Sequence, residues 1–203
     1  TAEGFVYRVD ARLRPFGSAG PLSVSLSALE AYLLQHGRDW ERYAYIKARV
    51  VNPWDDADGL YRDVLRPFIY RRYLDYGVFS SLREMKAMIA AEVEKKEYRA
   101  NLKLGPGGIR EIEFIVQALQ LVRGGTVLGL RQQQLLRALP QLVQAGCLPA
   151  ADAADLETAY CFLRLAVNRV QALHDRQTHD IPADPLDQQR LAFAMGMAGW
   201  DEF

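Results

Sequence analysis

One carboxylate stands among three guanidiniums in the run Phe5-Val6-Tyr7-Arg8-Val9-Asp10-Ala11-Arg12-Leu13-Arg14. The alternation is strict, so a strand pleat turns Arg8, Asp10, Arg12 and Arg14 to one face and Phe5, Tyr7, Val9, Ala11 and Leu13 to the other. A carboxylate on a rigid strand suits Mg²⁺, a hard cation that takes oxygen ligands. Flanking arginines grip phosphate oxygens through bidentate, charge-assisted bonds. The same pattern also fits a solvated face of an antiparallel sheet, on which Asp10 only neutralises its neighbours.

A second group lies in Lys103-Leu104-Gly105-Pro106-Gly107-Gly108-Ile109-Arg110-Glu111-Ile112-Glu113-Phe114. Glycines ahead of a helix leave backbone N–H groups open to an anion, and the helix dipole favours one there. No Gly-Lys-Ser/Thr follows, so this is not a P-loop. On the helix, Ile109, Ile112, Val116 and Leu119 can face a core, while Arg110, Glu113, Gln117 and Gln120 line a different stripe. Glu111 and Glu113 diverge, because residues two apart do not share a helix face. On pattern alone, a purely structural glycine turn with a surface Arg110–Glu113 pair accounts for it more readily. His36, His174 and His179 lack metal-ligand spacing and read as surface or capping residues. Trp40-Glu41-Arg42 reads as a helix packed under the strand. In Arg66-Pro67-Phe68-Ile69-Tyr70-Arg71-Arg72-Tyr73 cations interleave with aromatics. That suits RNA or an acidic partner, though such a pattern more often marks a helix with one aromatic core face and one solvated face.

These residues need elements to hold them. The strand is expected to end at Pro15 and the Gly17-Ser18-Ala19-Gly20-Pro21 loop, with its partner strands ahead of Thr1, since a lone strand leaves its backbone unpaired. Helices are expected from a cap at Ser25 or Ser27 to His36, from Asp39 to Val51, and then over 57–75, 79–98, 108–123, 130–145, 151–175 and 185–196. In the helix over 151–175, Leu156, Ala159, Tyr160, Leu163, Val167, Val170 and Leu173 form an apolar stripe. Asn101–Leu104 reads as short and extended. The character changes near Asn52, which predicts a domain over 1–52 and a helical bundle over 53–203.

Composition bounds the rest. The 203 residues are half apolar, enough for a substantial core, and Lys+Arg and Asp+Glu balance at 25 each. That neutrality gives no support for nucleic-acid binding, although it speaks only of the average and not of local basic clusters. No apolar run reaches the ~18–20 residues of a membrane span, and no signal peptide opens the chain. Cys147 and Cys161 have no ligand or disulfide pattern, which fits a reducing cytosol. The chain begins at Thr1 within a strand-like pattern and reads as part of something longer.

Taken together, three stretches resemble one family. Gly4 to Pro15, followed by Gly17, Gly20-Pro21-Leu22 and Ser25, is similar to the central signature of glutamine synthetase adenylyltransferases. Trp40-Glu41-Arg42-Tyr43-Ala44 with Lys47-Ala48-Arg49 resembles the segment that follows it, and Lys103 to Gln117 the family's other hallmark. The resemblance covers essentially the whole chain. It implies a mainly α fold: the end of a polymerase-β-type nucleotidyltransferase α/β domain, then a helical bundle. It implies a cytoplasmic enzyme with two homologous halves, of which the N-terminal removes AMP from glutamine synthetase by phosphorolysis, releasing ADP, and the C-terminal adds AMP from ATP. Gly107–Phe114 and the Arg66–Tyr73 segment resemble the removing half. The resemblance makes Asp10 the third of three catalytic, Mg²⁺-holding carboxylates. Arg12, Arg14, Lys103, Gly107, Gly108, Arg110 and Glu113 become phosphate- or nucleotide-contacting candidates, with Lys103, Arg110 and Glu113 expected at the mouth between the two domains. The Asp-x-Asp segment bearing the other carboxylates is absent from the sequence, so this chain alone is expected to be inactive. Implied partners are glutamine synthetase, a PII-type signalling protein, inorganic phosphate and ADP or ATP, with neither nucleic acid nor membrane. Two other readings are the adenylylating half and a non-catalytic helical module that docks the PII-type regulator.

Overall fold

The computed structural model describes residues 10–11, 13–51, 59–71, 77–95 and 100–203. The described residues are mainly helical, with no strand among them. The chain divides into two compact units, Thr1–Arg71 and Arg72–Phe203.

In the first unit, most of the expected strand, including Arg12, lies outside the described residues. Its end departs from expectation: Leu13 to Phe16 form a turn, in which the Arg14 N–H donates to the Ala11 carbonyl at 3.4 Å and the Gly17 N–H to that of Arg14 at 2.9 Å. Pro15 has no N–H to give a ladder, and Phe16 and Gly17 both take left-handed backbone angles (φ 61° and 58°) that turn the chain off an extended path. Helix α1 (Leu26–Gln35) starts where expected, with the Ser25 hydroxyl accepting from the Ala28 N–H at 3.2 Å. Helix α2 covers only Asp39–Tyr45. The β-branched pair Val50-Val51 and the proline at 53 disfavour helix beyond it. A π-helical turn, Leu60–Leu65, runs into the short helix α3, Arg66–Ile69. Pro67 cannot donate to the preceding turn, and the widened turn just before it accommodates that loss.

The core of this unit holds charge. Within Trp40-Glu41-Arg42, the tryptophan is 43% exposed and the glutamate and arginine are buried, the reverse of a simple apolar face. The Arg42 guanidinium donates twice to the Ile69 carbonyl, at 2.9 and 3.1 Å, and pairs with Asp39 at 3.0 Å. It thereby satisfies the C-terminal end of α3 and fixes it against α2. Glu41 accepts from the Arg38 N–H and the Tyr32 hydroxyl, both at 2.8 Å.

In the second unit, α4 spans Gly77–Lys95 and buries Leu82 and Met85. It is followed by α5 (Ile109–Arg123), α6 (Leu135–Gln144), α7 (Ala150–His174) and α8 (Pro185–Ala194). Two apolar clusters hold them. One joins Ile112 and Val116 of α5, Leu130, Leu135, Ala138, Leu139 and Leu142 of α6 and its approach, and Ala153 of α7. The other joins Leu102, Ile109, Ala166, Val167, Val170 and Leu191. Tyr160 and Leu163 pack against both. The α7 stripe is as expected except at Ala159, which is exposed, while Ala153 and Ala166 are buried. Pro140 lies inside α6, and the helix persists because its Leu135, Ala138, Leu139 and Leu142 face is buried. The α5 stripe that begins at Arg110 and Glu113 passes into the interior at Gln117 and Gln120. There the Gln120 amide donates to the carbonyls of Leu130 (2.6 Å) and Gln132 (2.8 Å).

Candidate functional site

The approach to α5 is built around Asn101, a residue the sequence reading assigned only to a short extended piece. Its side-chain oxygen accepts from the Lys103 and Leu104 N–H groups at 3.1 and 2.8 Å, an Asx turn that folds the chain back. Its amide nitrogen donates to the Asp180 carboxylate at 2.6 Å. Around this link the backbone pairs antiparallel: Leu102 N–H to His179 O at 2.8 Å and Ile181 N–H to Ala100 O at 2.9 Å. The glycine loop is thus anchored to a segment nearly eighty residues later.

The glycines do the expected geometric work, but the loop is not an open anion cradle. Gly107 sits at φ +70°, a left-handed conformation that glycine adopts without strain. A Cβ at Gly108 would meet the Gly105 and Leu102 carbonyl oxygens at 2.8 and 2.9 Å. The N–H groups expected to face an anion are already used. Those of Ile109 and Arg110 donate to the Leu102 and Lys103 carbonyls at 3.1 and 3.0 Å, and that of Gly108 to Gly105 at 2.9 Å. The Gly107 N–H donates to the Glu111 carboxylate at 2.9 Å. Leu102 and Lys103 turn their carbonyls back over the helix start because the Asx turn reverses the chain just before it. Any anion recognised at this end of α5 is therefore held by side chains.

Several such side chains converge. Burial, and then the nearby negative charge of Glu113, raise the pKa of the Tyr160 phenol on α7 above its ordinary value. The Arg164 guanidinium lies 5.9 Å from the centre of the Tyr160 ring. His179 is held below the usual imidazole range, first by burial and then by the positive charges of Lys103 and Arg164; Asp180 acts the other way. Lys103, Glu113, Tyr160, Arg164 and His179 thus form one charged neighbourhood on α5, α7 and the paired segments. Arg110 is exposed at the first turn of α5, three residues from Glu113. The sequence reading named Lys103, Arg110 and Glu113 and missed Arg164, Tyr160 and the role of His179. Tyr160 had appeared only as part of an apolar stripe.

Two other features lie near the end of α7. His174 and Asp187 meet at 2.6 Å, and Arg190 pairs with the same carboxylate at 3.0 Å. These contacts pull the Asp187 pKa below the ordinary carboxylate range. A cavity of about 240 Å³ has Val170, Leu173, Ile181 and Pro182 on its apolar side, with His174, Arg176, Thr178 and Asp180 also lining it.

In the first unit, Asp10 is exposed. Arg14 is spent on the loop: its guanidinium donates to the carbonyls of Ala11 (2.8 Å), Gly20 (3.1 Å) and Ser18 (3.4 Å). Arg12 lies outside the described residues. No group of three His, Cys, Asp or Glu side chains among the described residues is placed to hold a metal ion. Asp10 fits Mg²⁺ in chemical type, but a single exposed carboxylate is not a complete site. No helix among the described residues is long and apolar enough to cross a membrane.

Comparison with known proteins adds to this geometry. Residues 83–203 match the family described as GlnD PII-uridylyltransferase, and residues 1–61 that described as glutamate-ammonia ligase adenylyltransferase. The chain is 51% identical over 98% of its length to a bifunctional glutamine synthetase adenylyltransferase/adenylyl-removing enzyme of Shewanella loihica. Proteins of the same name from Xanthomonas oryzae pv. oryzae and Stenotrophomonas maltophilia are each 52% identical over 98% and 99% of the chain. The chain spans about a fifth of these curated relatives, 21% of the first two and 22% of the third.

Proposed function

Since the chain belongs to the family of bifunctional glutamine synthetase adenylyltransferase/adenylyl-removing enzymes, and over residues 83–203 to that described as GlnD PII-uridylyltransferase, we propose that it is part of the adenylyl-removing half. In that half, AMP leaves a tyrosine of glutamine synthetase by phosphorolysis: inorganic phosphate attacks the phosphorus, the bond to the tyrosine oxygen breaks, and ADP is released. The observation that carries this reading is the charged neighbourhood at the start of α5, where Lys103 and Glu113 of the family-like run stand with Arg164 and His179. Recognition by cationic side chains suits an enzyme that must bind inorganic phosphate and release a nucleoside diphosphate.

The roles divide by chemistry. Lys103 and Arg110 supply positive charge to phosphate oxygens. Gly107 and Gly108 set the turn that aims Lys103, a geometric role, since their amides are otherwise engaged. Glu113 sets a negative charge near Tyr160 on the α5–α7 face, beside Arg164. Asp10 is one carboxylate toward Mg²⁺; because its fellow ligands are not among the described residues, no step is derived through the metal. The setting is cytoplasmic, with glutamine synthetase as the protein substrate.

The test uses the whole removing half, bearing this chain, with adenylylated glutamine synthetase. ADP release that depends on inorganic phosphate and is abolished by Asp10→Asn supports the reading. ATP-dependent incorporation of AMP, with no phosphate-dependent release, assigns the chain to the adenylylating half instead. The match of residues 83–203 to a family described as PII-uridylyltransferase favours one alternative of another kind: a helical module that docks a PII-type regulator. Regulator binding by the chain, with turnover unaffected by Asp10→Asn, favours docking.

A further inference from the structure

Resting on the reading that the substrate carries an adenylyl group, we propose that Phe16 is the platform on which its adenine base stacks. Phe16 departs from ordinary behaviour in two ways at once. Its backbone sits at φ 61°, a left-handed conformation that a residue bearing a Cβ adopts only at a cost. Its side chain, though large and apolar, is 57% exposed. Glycine folds such a turn without strain, as Gly17 does next to it at φ 58°. The turn by itself therefore gives no reason for an aromatic ring at this position, and a ligand that covers the ring does.

The ring is braced from two sides. Tyr32 meets it edge to face, with ring centres 4.8 Å apart and planes at 71°, and His36 lies 5.4 Å away. Both stand at the end of α1, and the Tyr32 hydroxyl is tied to the buried Glu41 carboxylate at 2.8 Å. The backbone beneath is stapled by Arg14, whose guanidinium donates to the Ala11, Gly20 and Ser18 carbonyls. A Cβ on Gly20 would strike the Pro15 carbonyl, so the loop closes tightly on itself. An aromatic surface fixed in this way loses little freedom when a flat ring settles on it. Leu13 and Leu22 are exposed as well, so cover by another part of the parent chain is the competing occupant; a braced π-face favours a base over an aliphatic cover. The position also suits a nucleotide. The Arg14 N–H bonds to the Ala11 carbonyl and the Gly17 N–H to that of Arg14, so two successive turns lead from the neighbour of Asp10 to Phe16. Each turn brings its ends within about 7 Å, which sets the ring about one nucleotide's length from the carboxylate at the phosphoryl end.

The test uses the whole removing half, bearing this chain, in phosphorolysis of adenylylated glutamine synthetase. ADP, the product, carries the base; inorganic phosphate, the co-substrate, does not. Phe16→Leu keeps apolar bulk and loses the π-face, so the inhibition constant of added ADP should rise about 5- to 150-fold, the loss of one base–aromatic stack, while the KM for inorganic phosphate stays where it is. Phe16→Gly, which relieves the left-handed backbone, should show the same split, and Phe16→Tyr, which keeps the π-face, should retain ADP affinity. Thermal midpoints of the three variants report on folding. Wild-type ADP inhibition in Phe16→Leu or Phe16→Gly overturns the proposal, as does an equal shift in the ADP and phosphate constants. A lowered thermal midpoint with unchanged ADP inhibition assigns the ring to cover by the parent chain and overturns it too. If phosphorolysis depends on Asp10 yet ADP inhibition ignores Phe16, the functional reading stands and the stack alone is rejected. If the half shows no phosphate-dependent release, the functional reading fails, and equilibrium dialysis of ADP against the same variants decides the stack by itself.

Discussion

Replacing Asn101 with alanine tests how the glycine loop is held. The side chain is buried, at 8% exposure, and makes three bonds: two accepted from the Lys103 and Leu104 N–H groups and one donated to Asp180. Each neutral bond contributes about 1 kcal/mol, and the charge-assisted one about 1.5–3 kcal/mol. Asp180 is exposed, so water replaces part of the last contribution, and the net loss should be about 2–4 kcal/mol. With a urea m-value of about 1–3 kcal/mol per molar, the unfolding midpoint should fall by roughly 1–2 M at unchanged slope. Amide exchange at Lys103 and Leu104 should accelerate more than at α6. Asn101→Asp sharpens the test, because it keeps the acceptor but sets a second carboxylate against Asp180. Two carboxylates so close cannot both ionise cheaply, so one acquires a raised pKa in the folded state. A raised folded pKa means that stability is present while the group is protonated and is lost as pH rises through it. The aspartate variant should therefore be at least as unstable as the alanine variant at pH 7 and should recover towards pH 4. Wild-type stability of Asn101→Asp at pH 7 would refute the reasoning.

Other outcomes follow from the same structure. Gly108→Ala should be more harmful than Gly107→Ala in urea unfolding: the first puts Cβ against two backbone carbonyls, while the second has open space and pays only its left-handed strain, about 1–2 kcal/mol; the opposite order contradicts the loop geometry. Gln120→Leu should lose about 1–3 kcal/mol by orphaning the Leu130 and Gln132 carbonyls, read as a lower thermal midpoint. Leu139→Ala, in the packed centre of α6, should lose about 2–5 kcal/mol by the same assay. His179 has a folded pKa below its unfolded value, so its contribution to stability is present above the unfolded pKa and is lost as pH falls below it. His179→Gln should therefore flatten the decline in stability between pH 8 and pH 5, and an unchanged profile speaks against the burial and charge assigned to it.

Local signals in the sequence placed most of the helices. Ser25 marked the start of α1, and the apolar spacing through Val167 and Val170 marked α7, since caps and 3.6-residue periodicity depend only on near neighbours. Contacts between distant segments did not show. Nothing near Asn101 announces that its amide meets Asp180, and without that link the glycines read as an open anion loop. Ala159 fitted the stripe by spacing yet is exposed, because the width of a buried face is set by which helices pack there. Trp40-Glu41-Arg42 reads in the sequence as a helix packed under a strand, but the burial of Arg42 depends on the α3 carbonyl it satisfies. Of the charged neighbourhood, Lys103, Arg110 and Glu113 were visible from motif context, and Arg164 and His179 only from the fold. At the chain's beginning the strand pattern was persuasive, but Pro15 and the left-handed Phe16 divert the backbone by Leu13.

Tyr160 and Leu163 belong to both apolar clusters of the helical unit. The two layers therefore have no clean cleavage plane, and loosening either one strips contacts from the pair of side chains on which the other closes. Proteases and denaturants should meet a unit that gives way all at once, with no half-melted form to trap. Because Tyr160 also lies near the charge of Glu113 and under the Arg164 guanidinium, damage deep in the α6 layer should register at the charged surface as lost order, even though no residue there has been touched.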